Sequence, residues 1–268
     1  MRNKSALLKI GRAGLIISIV LIIFAFVFFE FRGIEAVSEY PLIEGAHRGD
    51  SVDYKENTID AFRAALNDSQ YKFIEFDIQY TKDKEIVVFH DYTLLRMQMQ
   101  FRRISNMDYD ELCEVSKFSI PTYKEVMDTI GNKTKINIEI KSQGDFEDDK
   151  ILADYVIDDC KQRGVLSQVV ISSVSKDVIK YISDKYPEVE TGIVYWISAV
   201  TYVPSEWLIN QFYEEVESIG ADYVMLHGTN VKNYELLTRL KPKDTKLAFW
   251  YFNNKMFILK KDSSDGLW

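Results

Sequence analysis

The sequence predicts an α/β chain that rolls into a TIM-type (β/α)8 barrel, short of its eighth strand and preceded by one N-terminal transmembrane helix. Three observations predict it. From Glu39 onward, β-rich runs alternate with amphipathic helical stretches, the pattern of βαβ units around a parallel sheet. One pair of β-runs, in "KFIEFDIQYTKDKEIVVFHD", is split only by "TKDK", a link long enough for a hairpin but too short for a parallel crossover. Finally, Ala13 to Phe29 reads "AGLIISIVLIIFAFVFF", without one charge.

That apolar run comes first in the chain. At ~1.5 Å rise per residue it nearly spans a ~30 Å hydrocarbon layer. It is apolar on every face, unlike a core helix. It also exceeds the ~7–15 residues of a signal-peptide core, and no small-x-small cleavage site follows in "EFRGIEAVSEY". It reads as an uncleaved anchor. Arg2, Lys4, Lys9 and Arg12 precede it, so the positive-inside rule keeps residues 1–12 cytoplasmic and places the chain beyond about residue 30 outside. The expected organisation is a basic segment (1–12), a span (13–29), a linker (30–40) and one domain (41–268), at the cell membrane and extracytoplasmic.

Within the domain, "PLIEGAH" reads as a strand and "NTIDAFRAALND" as a helix opened by an Asn or Thr cap. The hairpin follows, its second arm excluded from the parallel set. Then come helix "TYKEVMDTIG", strand "TKINIEIK", helix "KILADYVIDDCKQRG", strand "QVVISSV" and helix "SKDVIKYISDKY". Strand "EVETGIVYW", helix "SEWLINQFYEEVESIG", strand "ADYVMLH", helix "NYELLTRLK" and strand "TKLAFWYF" complete the series. This gives seven parallel strands. An eighth would begin near "DGLW", so strands one and seven are expected to keep unpaired edges, a stability liability.

Composition narrows the function. Of 268 residues, 47% are apolar and 28% charged, which suits a globular chain rather than a disordered one. A net charge of −8 excludes an electrostatic grip on nucleic acid. Cys113 and Cys160 lie far apart with no CxxC spacing, leaving one bridge or two free thiols open.

The strand ends gather the reactive groups. Residues i and i+2 of a strand share a face. Glu75 and Asp77 in "IEFD" therefore point the same way, as do Glu139 and Lys141 in "NIEIK". His47 closes the first strand and His90 the hairpin's second arm. In α/β barrels, polar side chains at carboxyl ends of strands line the active-site face. Three converging carboxylates repel one another unless a cation neutralises them, and an all-oxygen set suits Ca²⁺ or Mg²⁺ better than zinc. Two imidazoles suit general acid–base work near neutral pH. Arg48 and Lys141 supply the cationic donors that hold a phosphate oxygen. The set points to phosphoryl chemistry on an anionic ester. Glu56 and Asn57 read as capping and steadying the first helix, and His227 as a core or rim histidine.

The motifs "HRG", "ENT", "EFDIQYTKDKEIVVFHD", "IPTYKEV", "NIEIK" and "WYFN" occur in order, and from His47 onward the chain resembles the glycerophosphodiester phosphodiesterase family. The resemblance implies a TIM-type barrel and hydrolysis of glycerophosphodiesters to an alcohol and glycerol 3-phosphate with a divalent cation. A cyclic phosphate, opened later by water, is implied as intermediate. Carried over residue by residue, it implies His47 and His90 as the acid–base pair. Glu75, Asp77 and Glu139 match the metal ligands, Arg48 and Lys141 the phosphate contacts, and Trp250 a wall of the pocket. A lysophospholipid substrate, and a non-catalytic relic of the family, are the alternatives. Departures are Lys55 where proline is usual, "ISSV" in place of a Ser-Phe pair, and the missing end of the last strand.

Overall fold

The structure is a computed structural model and describes residues 42–196, 198–251 and 255–259. Its nine strands are β1 (Leu42–His47), β2 (Phe73–Tyr80), β3 (Ile86–Val88), β4 (Lys135–Ile140), β5 (Val169–Ser173), β6 (Glu190–Tyr195), β7 (Tyr223–His227), β8 (Lys246–Trp250) and β9 (Lys255–Leu259). Eight close into a ring in the order β1-β9-β8-β7-β6-β5-β4-β2, with β1 pairing back onto β2. The expected hairpin is present: β3 pairs antiparallel with only the last three residues of β2 and stands off the ring.

The unfinished barrel is corrected. After β8 the chain does not cross over to a parallel eighth strand. It turns back, and β9 runs antiparallel to both β8 and β1, with Leu42–Ala46 paired against Leu259–Lys255. Lys255 Nζ adds an ion pair at 2.7 Å to Glu44 Oε1 on β1. The edges of the first and seventh parallel strands are therefore covered, and "DGLW" lies outside the described residues.

The expected location in a membrane is also corrected. Among the described residues no helix is long and apolar enough to cross a bilayer. The predicted span, residues 13–29, lies outside the described residues, as do the preceding segment and the linker.

The helices are α1 (Ile59–Asn67), α2 (Leu95–Gln98), α3 (Tyr109–Val115), α4 (Tyr123–Ile130), α5 (Phe146–Gln162), α6 (Lys176–Lys185), α7 (Ala199–Tyr202), α8 (Glu206–Ile219) and α9 (Tyr234–Leu240). Their starts follow local chemistry. Thr58, not Asn57, caps α1 by accepting from the Ala61 N–H, and Thr122 with Glu125 forms a capping box on α4. On α4, Tyr123, Val126, Met127 and Ile130 recur at helical spacing and bury one face against the sheet.

Alternation along the strands separates two cores. Ile136, Ile138 and Ile140 of β4 are fully buried beneath the helices, each contributing about 1.5–3 kcal/mol by leaving water. The intervening Asn137 faces the barrel axis, near Met225 and Met256. Phe73, Val170, Tyr223, Met225, Ala248 and Met256 fill the interior below the site. The parallel register sets the site's layout directly: His47 is level with Glu75, and Asp77 with Glu139.

The stretch between His90 and Pro121 forms a strap. Tyr92–Ile104 is closed by Leu94 N–H to Arg102 O (2.9 Å) and Ile104 N–H to Tyr92 O (3.0 Å), with α2 between them. Cys113 is exposed, Cys160 is buried, and both are free thiols.

Candidate active site

His47 ends β1 with its Nδ1 3.0 Å from the Tyr251 carbonyl oxygen. A carbonyl only accepts, so Nδ1 carries the hydrogen and Nε2 keeps its lone pair. Nε2 lies 3.8 Å from Glu75 Oε2. Burial, then the neighbouring Arg48 charge, push the His47 pKa well below its ordinary value.

Arg48 adopts φ +61°, a left-handed conformation that costs a non-glycine residue free energy and turns both its ends toward the site. Its backbone N–H donates to Glu75 Oε2 at 2.8 Å, and its guanidinium lies 3.0 Å from Glu56 Oε1 and 3.5 Å from Asp77 Oδ2. The adjacent Gly49, at φ +77°, passes close to α1: an added Cβ would sit 2.9 Å from the Ala61 carbonyl carbon. Only glycine fits there.

Glu75, Asp77 and Glu139 offer carboxylate oxygens that all lie within 4.8 Å of one another. Among the described residues, Glu75 Oε1 and Asp77 Oδ1 are buried without a hydrogen-bond partner. Burial, reinforced by the charges of Asp77 and Glu139, raises the Glu75 pKa well above the carboxylate range. For Asp77 burial is outweighed by His90, Lys141 and Arg48 and by a hydrogen bond from Asn57, which lower its pKa. Lys141 Nζ is 2.7 Å from Glu139 Oε1 and 3.6 Å from Asp77 Oδ1; burial works against its charge, but those carboxylates raise its pKa. Two buried acceptors without donors and a carboxyl driven toward its neutral form are the marks of a site completed by a hard cation. The three carboxylates fit one.

His90 follows β3 by two residues. Its backbone is held by Gln79, whose Nε2 donates to Phe89 O (2.7 Å) and Asp91 O (2.9 Å), the carbonyls on either side. Its Nδ1 lies 2.6 Å from Asp91 Oδ1. Asp91 in turn accepts from Arg96 on α2 (2.7 Å). His90 and His47 therefore flank the carboxylates with unlike partners, a carboxylate for one and a backbone carbonyl for the other.

Trp250, at the end of β8, stands beside His47 with ring centroids 6.4 Å apart, and edge-on to His227 at 4.8 Å. His227 is buried, as expected of a core histidine, and burial pushes its pKa down to about 4. Trp196, 56% exposed, meets Trp250 perpendicularly at 6.4 Å.

The structure thus brings together all eight residues singled out from the sequence. Sequence reasoning missed the parts of Glu56, Asn57, Asp91, Arg96 and Gln79. Glu56 and Asn57 were expected to serve α1. Instead Glu56 bridges Arg48 and Arg96, and Asn57 donates to Asp77. The "HD" pair at 90–91 signalled Asp91; nothing in the spacing pointed to Arg96.

A closed barrel with carboxylates, imidazoles and cations at the carboxyl ends of its strands has the build of a TIM-barrel hydrolase. The glycerophosphoryl diester phosphodiesterase family matches residues 47–267, and the chain belongs to that family. It is 33% identical over 165 residues to a glycerophosphodiester phosphodiesterase of Caldanaerobacter subterraneus subsp. tengcongensis, covering 56% of this chain and 65% of that protein. It is 35% identical over 112 residues to lysophospholipase D GDPD1 of Homo sapiens, covering 36% of this chain and 35% of that protein. The alignments span less than two thirds of either relative's length. Among solved structures, the glycerophosphodiester phosphodiesterase of Thermotoga maritima superposes with a TM-score of 0.61 at 28% identity, over 77% of this chain and 84% of that one.

Proposed function

We propose that this chain hydrolyses glycerophosphodiesters to an alcohol and sn-glycerol 3-phosphate, with His47 and His90 as the acid–base pair. The observation carrying this is the contrast between the two imidazoles around one carboxylate cluster. His47 donates Nδ1–H to a neutral carbonyl and is held uncharged, leaving Nε2 to accept a proton. His90 instead sets its Nδ1 against the Asp91 carboxylate, which fixes the ring and leaves Nε2 as its other reactive nitrogen.

In the first stage His47 Nε2 takes the proton of the glycerol hydroxyl next to the phosphate. That oxygen bonds to phosphorus as the bond to the alcohol breaks, and His90 protonates the departing oxygen. In the second stage the roles reverse. His90 takes a proton from water as it attacks the cyclic phosphate, and His47 returns one to the glycerol oxygen. Arg48 and Lys141 hold and neutralise the phosphate oxygens. Trp250 covers the glycerol side and excludes water there. Glu75, Asp77 and Glu139 would hold a divalent cation, Ca²⁺ or Mg²⁺, which supplies Lewis-acid polarisation of the phosphate when bound.

A second reading, lysophospholipids as substrates, is favoured by the similarity to lysophospholipase D GDPD1 and by Trp196, whose exposed ring extends the apolar wall beyond Trp250. The test is release of sn-glycerol 3-phosphate from glycerophosphocholine and glycerophosphoethanolamine by the full chain, with and without chelator, beside lysophosphatidylcholine. Turnover abolished by chelator and restored by Ca²⁺ or Mg²⁺ is expected. No release from any of the three substrates would end the proposal.

A further inference from the structure

One chain of charges at the site lies outside the steps above. Asp91 Oδ1 accepts from His90 Nδ1, and Asp91 Oδ2 accepts from Arg96 Nε. The same guanidinium donates its two terminal nitrogens to Glu56, at 2.9 Å to Oε2 and 2.5 Å to Oε1. Glu56 Oε1 also accepts from Arg48 at 3.0 Å. From His90 to Arg48 the groups alternate as imidazole, carboxylate, guanidinium, carboxylate, guanidinium. Arg96 is the central link.

We infer that Arg96 is a positioning residue: through Asp91 it fixes the ring orientation of His90, and through Glu56 it ties that ring to the phosphate-facing Arg48. The inference rests on the acid role proposed for His90.

The geometry argues for orientation rather than for holding the strap together. The strap's backbone is already closed by the Leu94–Arg102 and Ile104–Tyr92 hydrogen bonds and by the Thr93–Arg103 bridge, and the backbone around His90 is held by Gln79. None of these needs the Arg96 side chain. Arg96 is half exposed, where an ion pair adds little to stability. What it adds is direction. A planar guanidinium with fixed donors holds two carboxylates at a set angle, which a single ammonium cannot do. Both oxygens of Asp91 and both of Glu56 are engaged, so neither carboxylate is free to swing. The pKa directions agree. Hydrogen bonding to Glu56 and Asp91 raises that of Arg96 against burial, while both carboxylates titrate lower than usual despite theirs. An acid that must meet a leaving oxygen within hydrogen-bond reach gains directly from a fixed ring.

The full chain carrying Asp91→Asn, Arg96→Gln or Arg96→Lys tests this on two substrates. Glycerophosphocholine loses an alkoxide that needs a proton. The p-nitrophenyl ester of glycerol phosphate loses a phenolate that leaves without one. Asp91→Asn and Arg96→Gln are expected to lower kcat on glycerophosphocholine about 10- to 100-fold with KM nearly unchanged, part of the ~10²–10⁴ of a general acid. The loss should be at least about ten-fold smaller on the nitrophenyl diester. Arg96→Lys should fall between, and the double variant should cost less than the product of the singles. Equal losses on both substrates, or no loss on glycerophosphocholine, would overturn the inference. His90→Ala separates it from the proposed function. If that variant shows the leaving-group dependence and Arg96→Gln does not, only the role of Arg96 falls. If His90→Ala shows none, the acid assignment falls and Arg96 with it.

Discussion

Asn57 donates its side-chain amide to Asp77 Oδ2 across 2.8 Å, while its backbone N–H donates to the Arg48 carbonyl at 2.9 Å. One residue thus orients a carboxylate of the proposed cation site and closes the turn that carries Arg48. Asn57 sits at φ +57°, where asparagine and glycine are tolerated best. Asn57→Gly keeps the backbone and removes the amide. Its expected effect is a divalent-cation affinity about 10–100-fold weaker, the usual cost of losing such a supporting bond. Titration calorimetry with Mg²⁺ and Ca²⁺ on the variant checks it.

The proposed mechanism gives the two imidazoles separate duties, so each is needed alone. His47→Ala and His90→Ala should each lower kcat by about 10²–10⁴-fold on glycerophosphocholine. Steady-state assays on the two variants suffice. Near-normal rates in both would remove the acid–base pair.

Glu75 carries the electrostatic strain of the cluster, with its raised pKa and an Oε1 that no donor among the described residues reaches. Added Mg²⁺ or Ca²⁺ should therefore raise the thermal midpoint, by the equivalent of ~2.7 kcal/mol at a hundred-fold excess over Kd. In Glu75→Gln that gain should vanish, while the cation-free midpoint stays level or rises because a buried acid has been removed. Melting curves with and without cation distinguish the two states.

His227 makes stability depend on acid. Its folded pKa of about 4 lies below the ordinary 6.5, so between those values the unfolded chain binds a proton and the folded chain does not. Stability is then fully present above pH 6.5 and falls as pH drops from there to about 4, by about 3 kcal/mol in all. Urea midpoints from pH 7 to 4 should fall less steeply for His227→Gln than for the wild type.

Gly49 tests the turn. Gly49→Ala places a methyl 2.9 Å from Ala61 at a left-handed φ, and should cost about 2–4 kcal/mol of unfolding free energy. The urea midpoint measures it. A shift of a few tenths would show that α1 gives way easily.

Much of this site could be read from strand periodicity. Glu75, Asp77 and Glu139 stood out because their neighbours Ile74, Phe76, Ile138 and Ile140 take the opposite face, and the barrel rule sends strand ends to one mouth. The closing strand could not be read that way, because in "LAFWYFNNKMFIL" the strand direction is set by the length of the link and not by side-chain period. The hairpin logic that resolved "TKDK" applies there too, since the link between the two β-runs is too short for a parallel crossover. Glu56 and Asn57 were misassigned because helix-start residues also serve as caps, and Thr58 alone fills that role here. The Arg96 bridge spans 40 positions to Glu56, and no local period encodes such a reach.

Tyr251, whose carbonyl sets the His47 tautomer, lies 204 positions from it, on the link into β9. Under the proposed mechanism, catalytic competence is therefore a late product of folding. The imidazole at one end of the ring stays unoriented until the last stave docks beside it, and a contact so remote in sequence forms slowly. Recovery of turnover during refolding should lag behind the return of helical signal.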